Sequence, residues 1–239
     1  MATLASGRSD PPRVCAHACT VDGGPPNTLG GVRALLAAEV EMVEIDVRRS
    51  GDGILLAHHD DRLPDRRQVS AVTAAEALDC YPDERRPARV EELLALAAGR
   101  TRILLDLKQP AIEEQALELA LAVMPEDRLV ITSLDARQVA HVKRMRPCVR
   151  AGLSINRSLT GYVHAVGRAR AAGADLLAVN HVYLRSPLAG RAVSASLPLF
   201  VWTVDADRLL TRVLADSRVA CVITNRPLRA LALSAPTLG

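Results

Sequence analysis

The strongest constraint on this chain is an alternation. Eight apolar runs of strand length stand at 13–17, 42–47, 102–108, 129–133, 149–154, 176–180, 199–204 and 220–224. Each is followed by a segment with apolar residues at helical spacing, at 28–39, 90–98, 112–123, 136–145, 159–172, 187–194, 206–214 and 227–233. The two periods separate because side chains repeat every two residues in a strand and every 3.6 in a helix. Asp135 stands where a helix should start and Gly173 where one should stop. Strands joined by crossover helices pair in parallel, and eight such units close on themselves. The 239 residues suit one such closed barrel. The predicted fold is therefore an α/β chain, a (β/α)8 TIM barrel over 13–232, with a disordered lead at 1–12 and a loose tail at 233–239.

One run breaks the alternation. Residues 54–58 follow Ser50-Gly51-Asp52-Gly53 too closely for a crossover helix. Asp-Gly between apolar runs is a hairpin signal. The second strand is thus expected to pass the barrel rim and return as a β-hairpin. That return brings His58 and His59 back to the C-terminal rim, near Glu44 and Asp46. Chemistry in such barrels sits at that rim.

Polar residues near the strand ends are the informative ones. His17 ends the first strand, Glu44 and Asp46 share one face of the second, Asp106 and Lys108 share one face of the third, and Trp202 lies on the seventh. Taken singly, each has an ordinary explanation. Glu44-x-Asp46 suits a solvated strand face, Asp106-x-Lys108 a rim salt bridge, His17 or His59 a packed histidine, and Trp202 the core. Taken together they are harder to dismiss, because a barrel interior is apolar and charges there must be paired. Three converging carboxylates, Glu44, Asp46 and Asp106, repel one another unless a cation joins them. Oxygen-only ligands suit Mg²⁺ or Ca²⁺. Asn27 reads as the N-cap of a helix starting at Thr28. Asn180 and His181 follow the sixth strand, where they either shape the pocket or cap the rim. His58 should face away from His59.

Composition closes off other classes. Aromatic residues are 2% of the chain, too few for the stacking platforms of a single-strand nucleic-acid binder. The net charge of +3 leaves no polyanion-binding signature. Cys15, Cys19, Cys80, Cys148 and Cys221 form no Cys-x-x-Cys pair, so neither a zinc cage nor a disulfide framework is expected. No long uncharged apolar stretch predicts a membrane span. The first residues carry no apolar leader, and a reducing cytoplasm is the expected compartment.

The motifs occur in a fixed order: His17-Ala18-Cys19, Pro25-Pro26-Asn27-Thr28, Glu44-Ile45-Asp46-Val47, Asp52-Gly53, His59-Asp60-Asp61-Arg62-Leu63, Val90-Glu91-Glu92-Leu93-Leu94, Asp106-Leu107-Lys108, Trp202-Thr203-Val204-Asp205 and Ile223-Thr224-Asn225-Arg226-Pro227. This order resembles the glycerophosphodiester phosphodiesterase family, part of the phospholipase C-like phosphodiesterase barrels. The family pattern reads His-Arg-Gly, Pro-Glu-Asn-Thr, Glu-x-Asp-Val, Asp-Gly, His-Asp, Glu-x-Lys, Trp-Thr-Val-Asn and Ile-Thr-Asp-x-Pro. The register holds without gaps from His17 to Leu63. The family's small insertion domain is absent, and only a loop is expected between Leu63 and Val90.

The resemblance implies a metal-dependent phosphodiesterase acting on a small glycerophosphodiester-like substrate. One divalent cation, Mg²⁺ or Ca²⁺, would be held by Glu44, Asp46 and Asp106. His17 and His59 would be the acid–base pair, and Lys108 and Trp202 would bind substrate. A neighbouring substrate hydroxyl can attack first in this family, giving a cyclic phosphate that water opens. Three departures bear on this. Ala18 replaces an arginine that contacts phosphate, Pro26 replaces a glutamate near the metal, and Asp106 replaces a metal-binding glutamate. The related sphingomyelinase D-like enzymes also place aspartate there, with lysine two residues on. An arginine–phosphate contact in a preorganised site is worth about 2–4 kcal/mol. Two other readings stand beside hydrolysis at this stage. One is an enzyme that stops at the cyclic phosphate or uses a specialised phosphate ester. The other is a phosphate-ligand binding protein without turnover.

Overall fold

The computed structural model describes residues 13–156 and 164–234. The expected lead at 1–12, the start of the expected helix at 159–172 and the last five residues lie outside the described residues.

The strands are β1 (Val14–Ala16), β2 (Met42–Arg49), β3 (Leu55–Ala57), β4 (Arg102–Leu107), β5 (Leu129–Ser133), β6 (Arg150–Ile155), β7 (Leu176–Asn180), β8 (Leu199–Trp202) and β9 (Val219–Thr224). The α-helices among the described residues are α1 (Leu29–Ala37), α2 (Ala74–Leu78), α3 (Val90–Ala97), α4 (Glu113–Leu121), α5 (Ala136–Met145), α6 (Ala165–Ala171), α7 (Pro187–Ser194), α8 (Asp207–Leu214) and α9 (Pro227–Ser234). All strands but β3 run parallel. β1 pairs with β9 on one side and with β2 on the other, so the sheet closes into the eight-stranded (β/α)8 barrel the alternation predicts. β3 returns antiparallel on β2, with Val47 opposite Ala57 and Arg49 opposite Leu55. That is the expected hairpin. Asp135 caps α5 by accepting from the Arg137 N–H, and Gly173 takes the left-handed conformation (φ 68°) just past α6.

Strand alternation sorts the core into two layers. Val43, Ile45, Val47, Ile103 and Leu105 face the helices. Inside the barrel, Cys15, Met42, Leu104, Leu176, Phe200 and Cys221 fill the lower half. Along β2 the inward positions are Met42, Glu44 and Asp46, and on β4 they are Leu104 and Asp106. The interior therefore changes from apolar to charged toward the C-terminal rim. Gly152 on β6 serves this packing, because a Cβ there would lie 2.2 Å from Leu176 Cδ1.

Three expectations need correction. His17 does not end the first strand; it opens a 3-10 turn, His17–Cys19, in which Ala18 and Cys19 take left-handed φ of 45° and 56°. The turn fits because α1 docks on it through Gly31, where a Cβ would lie 2.3 Å from the Cys19 carbonyl oxygen. The stretch between Leu63 and Val90 is more than a loop. It contains α2, started by a capping box in which Thr73 and Glu76 bond each other's backbone N–H. Leu56, Leu63, Val69, Val72, Ala74 and Ala77 form its own small core. Lastly, α9 runs to Ser234, past the point where the tail was expected to begin. No helix among the described residues is long and apolar enough to cross a membrane.

Candidate active site

Parallel pairing of β2 and β4 sets Asp46 directly beside Asp106, with Glu44 one inward step below Asp46. One oxygen from each of these three carboxylates lies within 4.8 Å of the others. Glu44 is 5% and Asp46 0% exposed. Lys108, just beyond β4, places Nζ 3.0 Å from Asp46 Oδ1 and donates to Asp106 Oδ2. Thr132 on β5 donates to Asp106 Oδ1 at 2.7 Å. Asn27 is not the helix cap the sequence suggested. Thr28 caps α1, its Oγ1 accepting from the Gly31 N–H. Asn27 instead turns inward, donating from Nδ2 to Asp46 Oδ2 at 2.9 Å and accepting the Asp46 N–H at 3.2 Å.

The electrostatics follow from this geometry. Burial pushes the Glu44 carboxyl up to about 7; Asp46 and Asp106 add repulsion, while His17 and Lys108 oppose it. Asp46 is buried too, yet Lys108 and the Asn27 hydrogen bond hold it below the usual range. Burial would lower Lys108, but Asp106, Asp46 and Glu44 together raise it. Glu44 Oε2 is buried with no hydrogen-bond partner, and buried Asp46 Oδ1 has the Lys108 ammonium beside it at 3.0 Å. An orphaned acceptor such as Glu44 Oε2 is uncommon in native interiors. An all-oxygen set with the Glu44 oxygen left open and three carboxylates against one lysine fits a hard divalent cation.

The site opens into a cavity of about 240 Å³ whose lining includes His17, Glu44, His59, Asp106, Lys108 and Trp202. His17 Nδ1 lies 2.8 Å from Asn225 Oδ1, and its Nε2 lies 4.0 Å from Glu44 Oε2. Burial pulls His17 down, but Glu44, Asn225 and Asp46 outweigh it and raise the imidazole above its usual value. His59 stands at the rim with its side chain 59% exposed, Nδ1 2.8 Å from Asp60 Oδ1. Arg48 Nε donates to the His59 carbonyl at 2.8 Å and so holds that end of the hairpin. His58 turns the other way, as strand alternation requires. Its ring sits between the Asp60 carbonyl, at 2.8 Å, and the Tyr81 hydroxyl, at 2.6 Å. Trp202 lines the cavity and also packs on the inner barrel layer.

The structure thus brings together all seven residues singled out in the sequence. Ala18 is buried and Pro26 exposed, and neither lines the cavity. Lys108 is the permanent cation among the described lining residues. Asn180 is a cap, accepting from the Val182 N–H at 3.2 Å. A larger hollow of about 810 Å³, reached by Arg33, Arg86 and Arg89, contains none of Glu44, Asp46, Asp106, His17 and His59. The sequence reading missed the roles of Asn27, Thr132, Asp205 and Asn225. Three of these lie inside the quoted motifs, which was the available signal.

Comparison with known proteins follows the same line. The model of the glycerophosphoryl diester phosphodiesterase family matches residues 22–229. A glycerophosphodiester phosphodiesterase of Arabidopsis thaliana is 24% identical, over 91% of this chain and 71% of that protein. One from Caldanaerobacter subterraneus is 24% identical, over 90% of this chain and 94% of its own. Among solved structures, an Oleispira antarctica phosphodiesterase in complex with the product sn-glycerol-3-phosphate superposes with a TM-score of 0.80 at 20% identity, covering 93% of this chain and 96% of that one. A Thermotoga maritima glycerophosphodiester phosphodiesterase gives 0.76 at 18% identity, covering 92% and 96%.

Proposed function

Because this chain belongs to the glycerophosphoryl diester phosphodiesterase family, and so to the phosphoric diester hydrolases, we propose that its rim cavity hydrolyses a small glycerophosphodiester with one bound Mg²⁺ or Ca²⁺. One observation carries the reading: two histidines, a lysine and two of the three clustered carboxylates line one cavity at the C-terminal rim, with Asp46 directly behind them. Glu44, Asp46 and Asp106 would hold the cation, whose chemistry is to neutralise phosphate charge and polarise its oxygens. Lys108 adds a second positive charge to the phosphate as negative charge builds on it. His17 and His59 flank the phosphorus and exchange protons with the attacking and leaving oxygens. Histidine suits both tasks because its ordinary pKa lies near working pH. Trp202 closes one wall and excludes water from that side. Where the substrate carries a free hydroxyl beside the diester, that hydroxyl attacks first, and water then opens the cyclic phosphate.

The test is to incubate metal-stripped protein with glycerophosphodiesters and lysophospholipids, with and without Mg²⁺ or Ca²⁺, and follow ³¹P by NMR. Metal-dependent release of a phosphomonoester, silenced in His17→Ala and in His59→Ala, is the expected result. A product that stays cyclic would move the chain to the transferase reading. Full activity after metal stripping would sink the metal assignment.

A further inference from the structure

We propose that Asn225 and Asp205 are positioning residues that make His17 the proton acceptor of the reaction, by holding its imidazole in the tautomer with hydrogen on Nδ1. The proposal rests on the reading that His17 acts in acid–base chemistry.

Asp205 lies just beyond β8. Its carboxylate gathers three donors. Thr224 Oγ1 and the Asn225 N–H reach Oδ1 at 3.1 and 2.9 Å, and Asn225 Nδ2 reaches Oδ2 at 2.8 Å. A carboxylate accepts and an amide nitrogen donates, so the Asn225 side chain has one allowed orientation. Its NH2 faces Asp205 and its carbonyl oxygen must face His17. That oxygen lies 2.8 Å from His17 Nδ1 and has no proton to give. Nδ1 therefore carries the hydrogen. In the neutral ring the lone pair is then on Nε2, the atom turned toward Glu44 and the cavity. A histidine prepared this way takes a proton at the start of a reaction. As the attacking oxygen bonds to phosphorus, its O–H proton passes to His17 Nε2. The bond from phosphorus to the leaving oxygen breaks, and that oxygen takes a proton from His59.

The sequence adds a second observation. The family pattern carries asparagine after Trp-Thr-Val and aspartate after Ile-Thr. This chain carries Asp205 and Asn225, the same two groups exchanged, and the structure places them in contact. The pair keeps its composition and charge, but a neutral amide replaces the carboxylate beside the imidazole. The amide orients the ring only while Asp205 anchors its other end.

Imidazole-¹⁵N labelling with NMR at about pH 9, above the histidine range, reads the tautomer directly and needs no turnover. The expected spectrum has a protonated-type Nδ1 and an unprotonated-type Nε2 for His17. The reverse pattern, or an average of the two, overturns the proposal. Asn225→Leu should lose the signature and about 10²-fold in kcat with KM little changed, as a wrong tautomer does. Asn225→Asp alone sets a second carboxylate against Asp205 at the 2.8 Å contact and should recover the signature only in part. Asp205→Asn frees the amide to flip and should blur it, and adding Asn225→Asp to Asp205→Asn should rescue both signature and kcat. Unchanged kcat in a folded Asn225→Leu protein also overturns the role. If wild-type protein shows the locked tautomer yet turns over no diester, the phosphodiesterase reading fails and takes this role with it.

Discussion

Asn27 holds Asp46 at two points, the carboxylate through Nδ2 at 2.9 Å and the backbone N–H through Oδ1 at 3.2 Å. This fixes the carboxylate rotamer and leaves Asp46 Oδ1 facing Lys108 and the centre of the acidic cluster. Asn27 also sits at a φ of 57°, a conformation asparagine tolerates better than most residues. Asn27→Gly separates the two properties, because glycine accepts that backbone and removes the clamp. Metal affinity should fall about 10–100-fold, the usual effect of losing a group that orients a ligand. Stability should also fall, by about 1–3 kcal/mol, because two buried bonds to Asp46 are lost, while α1 keeps its Thr28 cap. Calorimetric titration with Mg²⁺ or Ca²⁺ checks it, and unchanged affinity would mean the clamp is idle.

Lys108 pairs with two carboxylates, Asp46 and Asp106, in the metal-free protein. Its side chain is 16% exposed, and those of Asp46 and Asp106 are 0% and 13% exposed. Removing one member of such a buried set leaves uncompensated charge, at a cost of about 3–5 kcal/mol. Lys108→Met should therefore melt early in chelator and recover in excess Mg²⁺ or Ca²⁺. Its cation affinity should hold or tighten, because a competing positive charge is gone, while kcat drops about 10²–10³-fold. Melting curves with and without metal test this. Equal melting in chelator would show that the ammonium does not balance the carboxylates.

How far the sequence carried the interpretation depended on the separation of the interacting residues. The barrel was legible because each strand and helix repeats its own period within a short window. The charged rim was legible because Glu44 and Asp46, like Asp106 and Lys108, are two residues apart on one strand face. Asn27 was misread because capping is a local rule, whereas its partner Asp46 is nineteen residues on, beyond helix α1 on β2. Asn225 and His17 are 208 positions apart and meet only because β1 closes on β9. Helix α2 spans five residues, too few for apolar periodicity to show, although Thr73-x-x-Glu76 marks its start.

His58 and His59 are neighbours with opposite fates, and two substitutions tell them apart. Tyr81→Phe removes the partner of His58 Nε2 and leaves the cavity untouched. Losing one such hydrogen bond should destabilise the fold by about 1–2 kcal/mol with kcat unchanged. His59→Ala acts on a side chain that is 59% exposed, so melting should hold while turnover is lost. Paired melting and kinetic measurements decide between them. A Tyr81→Phe protein with normal stability but impaired kcat would reverse the two roles.

The elevated Glu44 carboxyl ties metal binding to pH. Burial sets that group at about 7 in the metal-free protein, against an ordinary 4.5. Between these values the native state keeps a proton that the unfolded chain has released. The Glu44 contribution to metal-free stability should therefore fall as pH rises from about 4.5 toward 7, a slope that Glu44→Gln removes. A cation coordinates only the ionised carboxylate, so below about 7 it must displace the proton. Affinity should weaken as pH drops, with up to one proton released per cation at about pH 6 and little above about pH 8. Calorimetry in two buffers of different ionisation enthalpy counts those protons. Glu44→Gln should abolish the release and weaken binding together. A wild-type protein that binds the cation at about pH 6 without releasing a proton would show that Glu44 is already ionised or is not a ligand.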